Sequence, residues 1–258
     1  ASACDATIKL WGLSSFEAQT QFSVNDGLLV TALAAYSEPS SGKARIVSGL
    51  IDGTIQIWDI ESPHPLKLFL AHSKKVTGLS SFVEISKSNS LHKVVHIVSI
   101  SLDMSLHVYD GFTLRTLLSL QFSSVPLSLA CLERSGKMVL GFEDHTMKFC
   151  QAAEGIDSSI TKTLVGHTGA VSAVVCFEEG NSTFALSGSI DKTVRLWQLL
   201  PTDMIVRVFT GHSMKVESIS TPFKDGGSTY FASGSLDRTL RVWNLDGREV
   251  LRLNSHTG

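Results

Sequence analysis

The feature that most constrains this chain is a short pattern that occurs six times. An Asp is followed by one residue, then a small or hydroxyl residue, then alternating apolar and polar residues ending near a large aromatic. It reads DATIKLW from Asp5, DGTIQIW from Asp52, DMSLHVY from Asp103, DHTMKFC from Asp144, DKTVRLW from Asp191 and DRTLRVW from Asp237. The intervals between these Asp residues are 47, 51, 41, 47 and 46. Self-similarity at that period means one supersecondary unit used repeatedly, each copy burying its apolar face against the next.

Each copy reads as a tight turn followed by a strand. Ile55 and Ile57 flank Gln56, Val194 and Leu196 flank Arg195, and Leu240 and Val242 flank Arg241. A period of two puts the two classes on opposite faces of a strand. The Asp belongs to the turn, where its carboxylate can accept backbone N–H groups. Ser48-Gly49, Ser187-Gly188 and Ser233-Gly234 end the strand before it. A second piece lies upstream. Ala71-His72 precedes Val76 and Leu79, Gly166-His167 precedes Val171 and Val174, and Gly211-His212 precedes Val216 and Ile219. No long stretch has helical periodicity, so the chain reads as all-β.

The two spaced motifs together resemble the WD40-repeat family, and the resemblance runs over essentially the whole chain. It implies a β-propeller of four-stranded antiparallel blades, seven when intact, with about five and a half present. Residues 1–24 would supply the last two strands of a blade. Residues 25–70, 71–120, 121–165, 166–210 and 211–254 would be successive complete blades, and 255–258 would open a further repeat of a longer protein. The family's buried hydrogen-bonded set of His, strand Ser, turn Asp and Trp falls here on His167, Ser187, Asp191 and Trp197, and on His212, Ser233, Asp237 and Trp243. A third set is His72, Ser99, Asp103 and Tyr109, with Tyr in place of Trp. The second repeat has Asp26 where His is expected. The fourth has Phe122, Leu140 and Cys150 at the His, Ser and Trp positions and keeps only Asp144, so its blade should be held by apolar packing. A literal Trp-Asp pair survives only at Trp58-Asp59.

In such a propeller the Asp turn and the His loop share one face, the top. The residue before each Asp, namely Cys4, Ile51, Leu102, Glu143, Ile190 and Leu236, should point from it. Lys75 and Lys215 precede the first-strand Val and lie beside them. Aliphatics with charged neighbours are the anatomy of a docking surface. Ile51, Leu102, Ile190, Leu236, Lys75 and Lys215 are therefore the candidate partner-binding residues.

The formal charge is −2, with 22 Lys and Arg against 24 Asp and Glu, which gives no footprint for a nucleic-acid backbone. No apolar run has the ~18 residues of a membrane span. Four cysteines without a C-x-x-C pair fit reduced thiols in the cytoplasm or nucleus. His92 and His96 flank Lys93-Val94-Val95 but lack further ligands at zinc spacing. There is no Gly-x-Ser-x-Gly elbow and no phosphate-cradling loop before a helix. No catalytic residue, metal or cofactor is expected, and no membrane, nucleic-acid or small-molecule partner. The expected role is a scaffold or adaptor that binds proteins or peptides. The alternatives are a reader of a short modified peptide at the channel mouth and the substrate-recruiting propeller of a larger enzyme such as a ubiquitin ligase.

Overall fold

The computed structural model describes residues 2–254 apart from 4–5, 13, 16, 25–26, 40, 63, 86–92, 134, 152–159 and 203. Among them every regular element is a β-strand. Cys4, Asp5, Asp26, His92 and Ser255–Gly258 lie outside the described residues. The chain divides into two compact units.

The first unit, Ala1–Pro126 with Glu133–Gly136, contains three sheets. β1 (Ser2–Ala3), β2 (Thr7–Trp11) and β3 (Ala18–Ser23) form blade one. Two strands were expected here. Ser2 pairs with Lys9 and Ala3 with Ile8, so a third short strand continues the ladder. Blade two is β4 (Val30–Ser37), β5 (Ala44–Leu50), β6 (Thr54–Asp59) and β7 (Pro65–Leu70), in that spatial order. Blade three is β8 (Val76–Ile85), β9 (Lys93–Ser101), β10 (Ser105–Asp110) and β11 (Thr116–Gln121), again in sequence order.

The second unit contains three more sheets. Blade four is β12 (Pro126–Cys131), β13 (Lys137–Phe142), β14 (Met147–Gln151) and β15 (Ile160–Leu164). Blade five is β16 (Val171–Glu179), β17 (Ser182–Ser189), β18 (Val194–Leu200) and β19 (Met204–Phe209). In blade six the first strand is split. β20 (Val216–Ile219) and β21 (Phe223–Asp225) both pair with β22 (Ser228–Ser235), which is followed by β23 (Leu240–Asn244) and β24 (Glu249–Leu253). Every strand pair with a described register is antiparallel, as neighbours joined by short turns must be.

The alternation in the repeat explains the stacking. One face of blade two carries Ile46, Leu50 and Trp58 against Ile8 and Phe22 of blade one, with 5.5 Å between the Phe22 and Trp58 rings. The other face carries Val47, Ile55 and Ile57 against Val76, Leu79, Ile97 and Tyr109 of blade three. Within the second unit, Val139, Met147 and Phe149 pack with Val171, Val174 and Trp197. Leu186, Val194 and Leu196 pack with Val216, Phe231 and Trp243. Each such fully buried side chain contributes about 1.5–3 kcal/mol. Because blade two is covered on both faces, the polar member of its alternation is buried too: Gln56 is nearly inaccessible.

Blade four replaces polar groups with apolar ones. Phe122, Leu140 and Cys150 are all buried. Its Asp144 still caps the turn, accepting the Thr146 N–H at 3.1 Å and the Thr146 hydroxyl at 2.6 Å. The turn before β14 therefore keeps its polar bonds.

Candidate interaction surface

In blades five and six the loops at the Asp end are held from below by a polar relay. In blade five the Trp197 Nε1–H donates to Ser187 Oγ at 2.8 Å, and Ser187 Oγ lies 2.7 Å from His167 Nε2. His167 Nδ1 lies 2.7 Å from Asp191 Oδ2. An ionised Asp accepts only, so it takes the Nδ1 proton; bare Nε2 then takes the Ser187 hydroxyl proton, and Ser187 takes the indole proton. Blade six repeats this with Trp243 to Ser233 at 2.9 Å, Ser233 to His212 at 2.8 Å and His212 to Asp237 at 2.9 Å.

Each turn Asp spends both oxygens inside its own blade. Asp191 Oδ2 also accepts Thr168 N–H, while Oδ1 accepts the N–H and hydroxyl of Thr193. Asp237 does the same with Ser213 and Thr239. Burial alone would raise these carboxyls. The donors outweigh it, His167 and Thr193 for Asp191 and Thr239, Ser213 and His212 for Asp237, and hold both far below the usual carboxylate range.

Blade three departs from this pattern. His72 Nε2 meets Ser99 Oγ at 2.7 Å, and His72 Nδ1 lies 2.8 Å from Ser105 Oγ and 3.2 Å from Asp103. Burial pushes the His72 imidazole down to about 4, against the pull of Asp103, and His107 beside it adds to the fall. Asp103 stays at about 2: burial opposes this, and the Ser105 hydroxyl, the Ser73 N–H and His72 prevail. Burial raises Tyr109 to about 12. Blade two has the Trp58 to Ser48 bond at 2.9 Å, and Asp52 caps its turn through the N–H and hydroxyl of Thr54.

A Ser–His–Asp chain has the bonding order of a hydrolase triad, yet these serines cannot meet a substrate. Ser99 and Ser187 have no exposed surface and Ser233 has 1 %. The Ser187 and Ser233 oxygens are also occupied by an indole N–H. The sets order loops. His96 is buried and bonded to Glu84 Oε2 at 2.9 Å, and no cluster of three or more His, Cys, Asp or Glu suited to a metal ion occurs among the described residues.

What these loops present is apolar. Ile51 donates its N–H to the Leu29 carbonyl at 3.1 Å, and the two side chains are 44 % and 47 % exposed. In the second unit, Ile190 donates to Ala170 at 3.0 Å and Leu236 to Lys215 at 3.0 Å. Ile190 is 49 % exposed, Leu236 52 % and Met214, beside Lys215, 49 %. Leu102 differs from the other aliphatic candidates: bonded to the Lys75 carbonyl, it is more covered than they are. Lys75 is exposed, whereas Lys215 is partly covered and pairs with Glu217 at 2.9 Å. Leu29 and Met214 were not singled out from the sequence. Leu29 holds the position of Lys75 and Lys215 just before a first strand, Met214 lies one residue before it, and a count back from Val30 and Val216 would have found them.

A family model described as WD domain, G-beta repeat matches residues 158–198 and 204–244. These two segments are WD40 repeats, and the chain resembles the WD40-repeat family. The chain is also similar to curated relatives. Striatin-3 of Mus musculus is 25% identical over 228 residues, covering 83% of this chain and 27% of the relative. The ribosome biogenesis protein ytm1 of Aspergillus terreus is 26% identical over 245 residues, covering 78% of this chain and 49% of the relative. A WD repeat-containing protein 91 homolog of Dictyostelium discoideum is 24% identical over 203 residues, covering 76% and 24%. The chain thus spans about a quarter to a half of the length of these relatives.

Proposed function

We propose that this chain is a non-catalytic docking scaffold in a multiprotein assembly, with partner proteins bound at the Asp-turn end of its blades. WD40 domains generally bind other proteins. The observation that carries the reading is that half-exposed aliphatics, Leu29 and Ile51 in one unit and Ile190, Met214 and Leu236 in the other, stand on loops tied down by buried hydrogen bonds. Leaving large apolar side chains in water costs free energy, and rigid backbones beneath them reduce the ordering cost of binding. The exposed aromatics Trp11, Phe112 and Phe223 belong to the opposite ends of their blades, so an aromatic cage for a methylated lysine gains no support at the Asp turns. The unbridged, buried thiols of Cys150 and Cys176 accord with a cytoplasmic or nuclear setting.

The test is affinity purification of the tagged protein from its own cells, as wild type and as Ile51→Asp, Ile190→Asp and Leu236→Asp. Specific partners should be lost from variants that melt at the wild-type temperature. An unchanged partner set from folded variants would refute docking at this end.

A further inference from the structure

Blades five and six share a second property beyond exposed aliphatics. Lys192 and Arg238 directly follow the buried turn Asp residues, and both have positive φ, 72° and 66°. In that left-handed conformation the backbone turns sharply. Each side chain is exposed, and neither has a described ion-pair partner.

The adjoining carboxylates do not offset them at the surface. Asp191 and Asp237 keep 6% and 4% side-chain exposure and are enclosed by the donors already described. The two turns are neighbours at one end of the unit. Ser172 Oγ donates to the Gly188 carbonyl at 3.3 Å and to the Val216 carbonyl at 2.5 Å, which sets the start of β20 beside the end of β17. Met214 and Lys215 therefore adjoin the Ile190 turn. Glu217 beside this patch is neutralised by Lys215, and the exposed Glu143 belongs to the neighbouring blade-four turn. Three aliphatic or thioether groups are thus interspersed with the unopposed cations Lys192 and Arg238, in a chain whose formal charge is −2.

Resting on the docking reading, we infer that the Asp-turn end of blades five and six takes a short peptide segment in which acidic residues alternate with large aliphatic ones. The aliphatic side chains would cover Ile190, Met214 and Leu236. The carboxylates would meet Lys192 and Arg238, where charge complementarity sets orientation and association rate. A basic or neutral apolar segment would bury the same carbon but leave two cations against a partner that cannot answer them.

The experiment uses the full protein and three fluorescein-labelled probes: a peptide alternating Glu with Leu, its Lys-for-Glu counterpart and its Ser-for-Leu counterpart. Anisotropy titration should show saturable binding of the first alone, weakened by added salt. Lys192→Glu/Arg238→Glu should weaken it about tenfold or more, as should Ile190→Asp/Leu236→Asp, while Phe112→Asp, at an exposed position on the opposite end of blade three, leaves it unchanged. Lys192→Gln/Arg238→Gln should give an intermediate loss, and melting temperatures check that each variant is folded. Equal binding of the Lys-for-Glu probe, or indifference to both charge variants, overturns the acidic class. If Ile190→Asp/Leu236→Asp still abolishes binding in that case, apolar docking stands without it. Indifference to Ile190→Asp/Leu236→Asp overturns docking at this patch as well.

Discussion

His72 and His107 meet edge to face in blade three, with 4.6 Å between ring centroids. Two imidazoles therefore share the neighbourhood of one carboxylate, Asp103. The aligned positions of other repeats hold Gln56, Arg195 and Arg241 instead of His107. Burial keeps both imidazoles below their ordinary value of 6.5. A histidine that binds its proton less tightly when folded contributes stability that is whole above the unfolded value and is lost as pH falls. For His72 the window runs from 6.5 down to about 4. Urea unfolding across that range should show stability falling by up to about 1.4 kcal/mol per pH unit per proton taken up. His107→Gln should flatten the slope, and parallel wild-type and variant curves would disprove the coupling.

Ser187 carries the centre of the relay in blade five, so removing it should cost more than trimming its end. Ser187→Ala leaves the Trp197 indole N–H and His167 Nε2 both buried without the hydroxyl. Each orphaned group costs about 1–3 kcal/mol. Trp197→Phe removes a donor and some packing yet leaves the Ser187 to His167 bond intact. The expected order in chemical denaturation is a larger midpoint loss for Ser187→Ala than for Ser48→Ala, whose oxygen serves Trp58 in a blade without a described histidine partner.

Gly53 is a turn residue where a side chain is sterically barred. Its φ is 91°, and its carbonyl accepts the N–H groups of Ala71 and His72 at 3.2 and 3.1 Å. A Cβ there would stand 2.1 Å from the His72 carbonyl oxygen and 2.8 Å from that of Lys74. Both are backbone atoms and cannot swing away. Gly53→Ala should destabilise by about 2–4 kcal/mol. His145→Gly, at φ 71° in blade four, should change stability by less than about 1 kcal/mol. Thermal melts of the two variants check the contrast.

The candidate surface residues should separate by exposure. Ile190→Asp and Leu236→Asp should stay within about 0.5 kcal/mol of wild type. Leu102→Asp should be the most destabilising of the three, because it forces a charge into a half-covered site. Equal melting temperatures for all three would contradict the exposure difference.

Much of this molecule was legible in the chain itself. DKTVRLW and DRTLRVW specify turn and strand by their own pattern, and with Gly-His upstream they carry the resemblance that implied the polar relay. The outcome at His167, Ser187, Asp191 and Trp197 follows from strand register, which a period of two imposes. Less legible was how much of each candidate side chain the fold leaves in water. Leu102 and Leu236 hold the same repeat position and make the same backbone bond, to Lys75 and Lys215, yet one is half-covered and the other stands out.

The sequence by itself determined the all-β class, the repeating blade and the residues that lock its turns, since each depends on short-range pattern and hydrogen-bonding capacity. Only the tertiary structure decided which aliphatics reach solvent, which carboxylates are enclosed and which cations are left unopposed. Those properties depend on what the neighbouring strand and loop bring within contact distance, and residues 44 or 45 apart, such as Ser172 and Val216 or Thr31 and Val76, meet only after the blades have stacked.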